Sequence, residues 1–223
     1  MKKNLNKKHI ICGGMYRSGT TLVYNLIIEI IKKHTGSPGS IIPTGTRIDN
    51  FYVHKYHQET PDFLNSEDAL VIYSYRNVLD CLVSFFQKYN KQYNNFQLQG
   101  RDSIQFIDWM IELDFKMLSS TADYLEISYE KEISNVILLC EKLKNFLNLY
   151  VEIDVEKYLF DNLKRKIDSL RTVDRESNFW PNHLNDGKVG KFKEFLTREQ
   201  MEQIYKLTDY QQWAIRRDFM EKK

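Results

Sequence analysis

The chain has 223 residues, 42% hydrophobic and 28% charged. That is enough apolar side chain for one α/β domain with its own core, spanning residues 1–223, and it excludes a disordered chain. A formal charge of +2 is too small to point to a nucleic-acid partner. From the N-terminus, KHIICGGMY reads as a buried strand entering a glycine turn. TTLVYNLIIEIIKKH follows as a helix, with Leu22, Leu26, Ile27, Ile30 and Ile31 on its apolar positions. TGSPGSIIPTGT reads as a loop. FYVHKYH and ALVIYSY are strands, VLDCLVSFFQKY and DSIQFIDWMIELDFKML helices, DYLEISY a strand and ISNVILLCEKLKNFLN a helix. After Tyr150 the chain becomes helical and charged, with a loop at SNFWPNHLNDGKVG. The alternation predicts an α/β fold, a mostly parallel central sheet flanked by helices with a P-loop-like nucleotide-binding architecture.

Three cysteines, Cys12, Cys81 and Cys140, stand singly, which suggests neither a zinc site nor a disulfide framework and fits a reducing cytoplasm. The longest apolar run, LVYNLIIEII, contains Asn25 and Glu29 and is too short and polar to span a bilayer. Nothing resembles a signal peptide, so a cytoplasmic protein without membrane contact is expected. Residues 1–60 hold nine Lys/Arg against three Asp/Glu. That balance suits an anionic small ligand, although solvated lysines account for much of it.

GGMYRSGTTLVYNLI nearly spells the phosphate-binding pattern G-x-x-x-x-G-K-[ST], but Thr20 stands where the lysine belongs and Arg17 brings a cation inside the loop. A glycine turn between strand and helix aims backbone N–H groups at one point, reinforced by the helix dipole. Arg17, Ser18, Gly19, Thr20 and Thr21 would form this anion cradle. The plainer alternative is a strand–helix turn capped by Thr20. Arg76 ends the strand ALVIYSY, where open α/β sheets bind ligands. Asn77 can cap the next helix, with Asp80 returning a bond in capping-box style. Ser84 can share a ligand with the strand end, making Arg76 and Ser84 a second anion clamp; the alternative is a surface arginine and an ordinary helical serine.

Together these segments resemble the sulfotransferases that use 3′-phosphoadenosine 5′-phosphosulfate (PAPS). RSGTT at Arg17–Thr21 matches that family's [KR]-S-G-T-T. Tyr73, Arg76, Asn77, Asp80 and Ser84 match every fixed position of its Y-x-x-R-N-x-x-D-x-x-x-S. SYEKE resembles its Tyr-Glu element, and NDGKVGKFKEFLT its late R-K-G-x-x-G-x-W-K segment, with Gly187 and Gly190 in place. The resemblance implies that the loop holds the 5′-phosphosulfate and that Arg76 and Ser84 hold the 3′-phosphate, with product PAP (3′-phosphoadenosine 5′-phosphate) and no metal. The family's tryptophan after the loop is Leu22 here, so adenine stacking must come from elsewhere, Tyr129 or Phe192. Asn185 and Asp186 replace the late Arg and Lys, and Lys188 is the substitute phosphate contact.

Many members place K-x-H before the second motif; Lys55 and His57 stand there, two residues apart on one expected strand face. His57 titrates in the range of a general base and Lys55 would stabilise the leaving phosphate; His54, Glu59 and His183 are rival bases. Phe51, Tyr52, Tyr56, Phe85, Phe86, Tyr89 and Trp109 could line an apolar acceptor pocket, though such spacings more often mark core. The expectation is transfer to a hydroxyl or amine of a small-molecule acceptor. Two rivals stay open: a P-loop kinase or nucleotide hydrolase, and a non-catalytic PAP-binding protein. Lys193, Thr197 and Glu202 partly match a family dimer motif, but Thr197 with Gln200 reads better as a capping box.

Overall fold

The computed structural model describes residues 8–88, 97–98, 101–181, 184 and 186–220. His183, Asn185 and Tyr89 lie outside them. A six-stranded sheet runs in the order β2-β3-β4-β1-β5-β8. Its strands are β1 (His9–Gly14), β2 (Ser40–Ile42), β3 (Gly45–Ile48), β4 (Phe51–Lys55), β5 (Ala69–Tyr75) and β8 (Tyr124–Ser128). β4, β1, β5 and β8 are parallel, whereas β2 and β3 join antiparallel at one edge. A two-stranded ribbon, β6 (Gln97–Leu98) with β7 (Arg101–Asp102), stands apart. The segment TGSPGSIIPTGT is therefore not all loop. Its Ile41 and Ile42 enter a hairpin whose apolar content was masked by surrounding Gly, Pro and Ser.

The central strands read as continuous apolar runs because both faces are covered. Ile10, Cys12, Leu70 and Ile72 face one core, filled by α1 (Thr20–Thr35) and α4 (Val136–Leu147). Ile11, Val71 and Tyr73 face the other, filled by α2 (Val78–Lys88), α3 (Ser103–Leu118) and, after α5 (Phe160–Asp168), α6 (Phe192–Phe195) and α7 (Arg198–Leu207), by α8 (Tyr210–Arg216). Thr197 caps α7 in the expected capping box: its Oγ1 accepts from Gln200 N at 3.2 Å, and Thr197 N donates to Gln200 Oε1 at 2.9 Å.

The register positions the site. Cys12 lies opposite Lys55 on one side and Ile72 on the other, and Gly14 lies opposite Ser74. From β1 the chain leaves through α1 and returns on the β4 side; β5 is then placed on β1's other flank. The strand order thus reverses at β1, and a crevice opens beyond the carboxyl ends of β4, β1 and β5.

Candidate active site

At the end of β1 the backbone turns through Gly14 (φ 147°), Arg17 (φ 66°) and Gly19 (φ 88°) before α1 begins at Thr20. A Cβ on Gly14 would meet Ser74 O at 2.1 Å, and one on Gly19 would meet Ile133 Cδ1 at 2.5 Å. These glycines let the turn press against β5 and against the short π-helical turn Tyr129–Ile133. Ser18 is an internal brace: its Oγ donates to Met15 O (2.7 Å) and lies 2.8 Å from Ser74 Oγ, fully buried. Its hydroxyl is thus committed to the loop and β5 rather than directed into the crevice. Thr20 Oγ1 meets Ser74 Oγ at 2.8 Å, and Thr21 Oγ1 accepts from Lys55 Nζ at 2.7 Å. The first amides of α1 have no intrahelical carbonyl to bond, so the helix start is an anion site by construction.

A cavity of about 420 Å³ opens above this loop, the size of a small-molecule site. Arg17, Gly19, Thr20, Thr21, Lys55, His57, Arg76, Ser84, Tyr129 and Gly187 all line it. Arg17 Nε donates to Ser84 Oγ at 3.0 Å, joining the two sequence motifs through side chains 67 residues apart. Arg76 is 5% exposed. Its Nη2 donates to Lys188 O (2.8 Å), its guanidinium lies 3.9 Å from the Tyr129 ring centroid, and its Nε is buried with no hydrogen-bond partner among the described residues. Arg76 thus sets a positive charge at the cavity wall, where an anionic ligand would be favoured.

Lys55 ends β4, and His57 falls in the turn beyond it, so the two do not share a strand face; the turn still brings both to the cavity. His57 Nδ1–H donates to Gly14 O at 2.8 Å, since a carbonyl only accepts. That fixes the tautomer and leaves the Nε2 lone pair available. Tyr16 stacks on the imidazole, ring centroids 4.3 Å apart. Burial, with Lys55 nearby, pulls the His57 pKa down to about 4 despite the Gly14 bond. Burial and then the charges of Lys88 and Arg17 pull Lys55 down to about 8.

The rival bases fall elsewhere among the described residues. His54 is held between His9 (3.0 Å) and Thr44 (2.8 Å) and does not line the cavity. Glu59 is exposed and does not line it either.

Residues 7–216 match the family model described as the sulfotransferase domain. The chain belongs to the sulfotransferase domain family. It resembles the crystal structure of retinol dehydratase in complex with retinol and PAP, with a TM-score of 0.66 at 15% identity, covering 95% of this chain and 82% of that one. It also resembles a mouse sulfotransferase complexed with PAP, with a TM-score of 0.60 at 18% identity, covering 92% and 84%. No curated protein matches it at the sequence level.

As a sulfotransferase-domain chain it rearranges several expected contacts. Asp80 does not return a capping bond to Asn77. Its carboxylate accepts from Gly190 N (2.7 Å) and Phe192 N (3.0 Å), tethering the late segment, while Asn77 N donates to Glu130 Oε1 (3.0 Å) and Asn77 Oδ1 caps Leu79 N (3.0 Å). The Lys188 side chain is exposed and points to Glu194; the late cation lining the cavity is Lys191, paired with Asp186 at 2.5 Å. Phe192 is 9% exposed and packs in the core, and one face of Tyr129 is covered by Arg76. The aromatic walls come instead from Phe160, Phe179 and Trp180 beside Leu22, and Trp180 is 52% exposed. The FW pair inside the polar stretch SNFWPNHLNDG was the available signal. Of the aromatics considered for an acceptor pocket, Phe85 lines the cavity; Phe86 is core, and Tyr52 and Tyr56 stack with His54 along β4.

Proposed function

We propose that this chain is a PAPS-dependent sulfotransferase acting on a hydroxyl or amine of a small-molecule acceptor. The observation that carries the reading is the convergence, in one cavity, of the loop, Lys55, His57 and the Arg76–Ser84 clamp. The loop amides with Thr20, Thr21 and Arg17 would hold the 5′-phosphosulfate, Arg76 and Ser84 the 3′-phosphate, and Leu22, Phe160, Phe179 and Trp180 the adenine. Bound PAPS supplies the sulfuryl group. Arg17 and Lys55 stabilise negative charge developing on the leaving phosphate. His57 Nε2 takes the acceptor's proton, and its Nδ1–H bond to Gly14 O holds the ring in the required tautomer. The complexes of the similar structures with PAP support this reading. A cytoplasmic setting remains part of the proposal; the described residues contain no helix long and apolar enough to cross a membrane.

Calorimetric titration with PAP and with ATP, each with and without magnesium, tests the reading. Metal-independent PAP binding with negligible ATP binding is expected. Tighter binding of magnesium-ATP would favour the kinase alternative, and PAP binding without transfer to any acceptor the non-catalytic one.

A further inference from the structure

Backbone contacts fix the turn that carries His57. Tyr56 N donates to Cys12 O at 3.0 Å, and Thr60 N and Thr60 Oγ1 donate to His57 O at 3.2 and 2.7 Å. The Thr60 side chain packs so closely on β1 that a Cβ on Gly13 would meet Thr60 Oγ1 at 2.1 Å. With its backbone pinned, the His57 ring is placed by what the ring itself touches. Its Nδ1–H donates to Gly14 O at 2.8 Å. One hydrogen bond at one ring nitrogen still lets the imidazole swing about that bond. The Tyr16 ring opposes the swing: it stacks on one face of the imidazole, with centroids 4.3 Å apart and planes 21° from parallel.

Tyr16 is held in turn. Its N–H donates to Met110 Sδ on α3 at 3.4 Å, and its ring leans on Trp109 of the same helix, 5.2 Å between centroids. The next residue, Arg17, takes the left-handed conformation at φ 66°, which is uncommon outside glycine. After that reversal Arg17 reaches Ser84, while Tyr16 faces His57. Gly14 and Tyr16 therefore hold the imidazole from one loop, the first in the ring plane and the second across a face. Tyr16 also lines the cavity beside His57, where its ring keeps water from the imidazole. The charged group that bears on His57 is Lys55; Glu59 in the same turn is exposed, and Met110 and Trp109 behind Tyr16 are uncharged. A phenol face would by itself favour an imidazolium. The fall of the His57 pKa to about 4, with burial its largest cause, means that exclusion of water outweighs this attraction.

We propose that Tyr16 is a positioning residue for the transfer: its ring, acting through His57, holds the imidazole plane so that Nε2, opposite the bonded Nδ1, stays presented to the acceptor. This rests on the sulfotransferase reading with His57 as base, and adds to it a residue that lies outside both sequence motifs. The role belongs to the flat ring and not to the hydroxyl. Phenylalanine keeps the ring, whereas leucine is apolar without a flat face.

Histidine-selective NMR of the free protein tests this, through ring-proton titrations and imidazole nitrogen shifts of wild type, Tyr16→Phe and Tyr16→Leu, with the His57 signal assigned by its loss in His57→Gln. In wild type and Tyr16→Phe, His57 should keep the single Nδ1–H tautomer and titrate only toward about 4. In Tyr16→Leu it should mix tautomers and titrate toward about 6.5, with near-normal PAP affinity by calorimetry. A wild-type His57 that titrates near the free value or shows both tautomers would overturn the inference whatever the variants do. So would wild-type behaviour in Tyr16→Leu, or a Tyr16→Phe protein that behaves like Tyr16→Leu, which would assign the effect to the hydroxyl. A Tyr16→Leu protein with a lower unfolding midpoint and no PAP binding would make Tyr16 a support of the loop instead. Failure of wild type to bind PAP would remove the underlying reading and this inference with it; PAP binding with an ordinary His57 titration would sink the inference alone.

Discussion

His57 shows how local environment changes a role read from residue type. A free histidine titrates near pH 6.5, and that value would place the acid limb of the pH–rate profile there. Burial with Lys55 nearby lowers it to about 4. The neutral imidazole therefore persists to lower pH, and if it is the proposed base kcat/KM should hold its plateau through pH 6 and fall only toward about 4. The stability consequence has a definite sign. Between the unfolded value of about 6.5 and the folded value, the unfolded chain binds the extra proton, so this contribution is fully present above that window and lost as pH falls through it. His57→Ala should cost about 10²- to 10⁴-fold in turnover with near-normal PAP affinity, because a base acts only as the proton leaves. Ordinary turnover in that variant would remove His57 from the mechanism. Arg76→Ala should weaken PAP by about 10- to 150-fold, and the analogue lacking the 3′-phosphate much less. Equal weakening toward both ligands would show that Arg76 supports the fold of the site through Lys188 O rather than reading the phosphate.

Two polar anchors hold helices and loops to the sheet. Asp80, 1% exposed, gathers the amides of Gly190 and Phe192 and so brings the late segment over the cavity. Asp80→Asn keeps the shape but turns one acceptor into a donor, leaving one of those amides unpaired. Faster hydrogen exchange at Gly190 or Phe192 and weaker PAP binding are expected; unchanged exchange at both would mean the tether is not needed. The second anchor is Asp114 on α3, fully buried, which accepts from Tyr73 Oη (2.9 Å), Trp213 Nε1 (2.8 Å) and Arg217 (2.7 Å). Arg217 also donates to Glu126 on β8 (3.0 Å) and lies 3.8 Å from the Tyr75 ring centroid. Arg217→Met leaves the Asp114 charge buried with only neutral donors, a loss of about 3–5 kcal/mol. Denaturant unfolding should show the lower midpoint, while PAP affinity of the folded fraction stays unchanged because none of these groups lines the cavity.

At the scale of the molecule, a formal charge of only +2 conceals a concentrated field. Arg17, Lys55 and Lys88 share one low-dielectric cavity, and their mutual repulsion adds to burial in lowering both lysines to about 8. An anionic nucleotide reverses this by raising them again. PAP binding near pH 8 should therefore take up protons, and affinity should fall as pH rises above that value. Calorimetry in two buffers of different ionisation enthalpy measures the uptake directly, and Lys55→Met should reduce it. Identical binding enthalpies in both buffers would contradict the account. The same affinity should fall with added salt, since most of the attraction is between charges.

The sequence by itself determined the α/β pattern, the loop at Arg17 to Thr21 and the pair Arg76 and Ser84, because strand runs, helix periods and glycine turns are local and each motif lies within a few residues. The resemblance to the sulfotransferases pointed to Lys55 and His57 through the K-x-H element that precedes the second motif. The sequence did not determine what these groups do to one another. That Arg17 meets Ser84, that Asp80 serves Gly190 and Phe192 rather than Asn77, and that Arg76 covers Tyr129 are contacts between distant segments. The pairing of β1 with β5 brings the loop to α2, and the pairing of β5 with β8 brings Arg76 beside Tyr129. That Lys191 rather than Lys188 lines the cavity belongs likewise to the fold of the late segment, which turns at the positive-φ Gly187 and Gly190. The pKa values of His57 and Lys55 were equally out of reach, since desolvation belongs to the folded cavity and not to the residue.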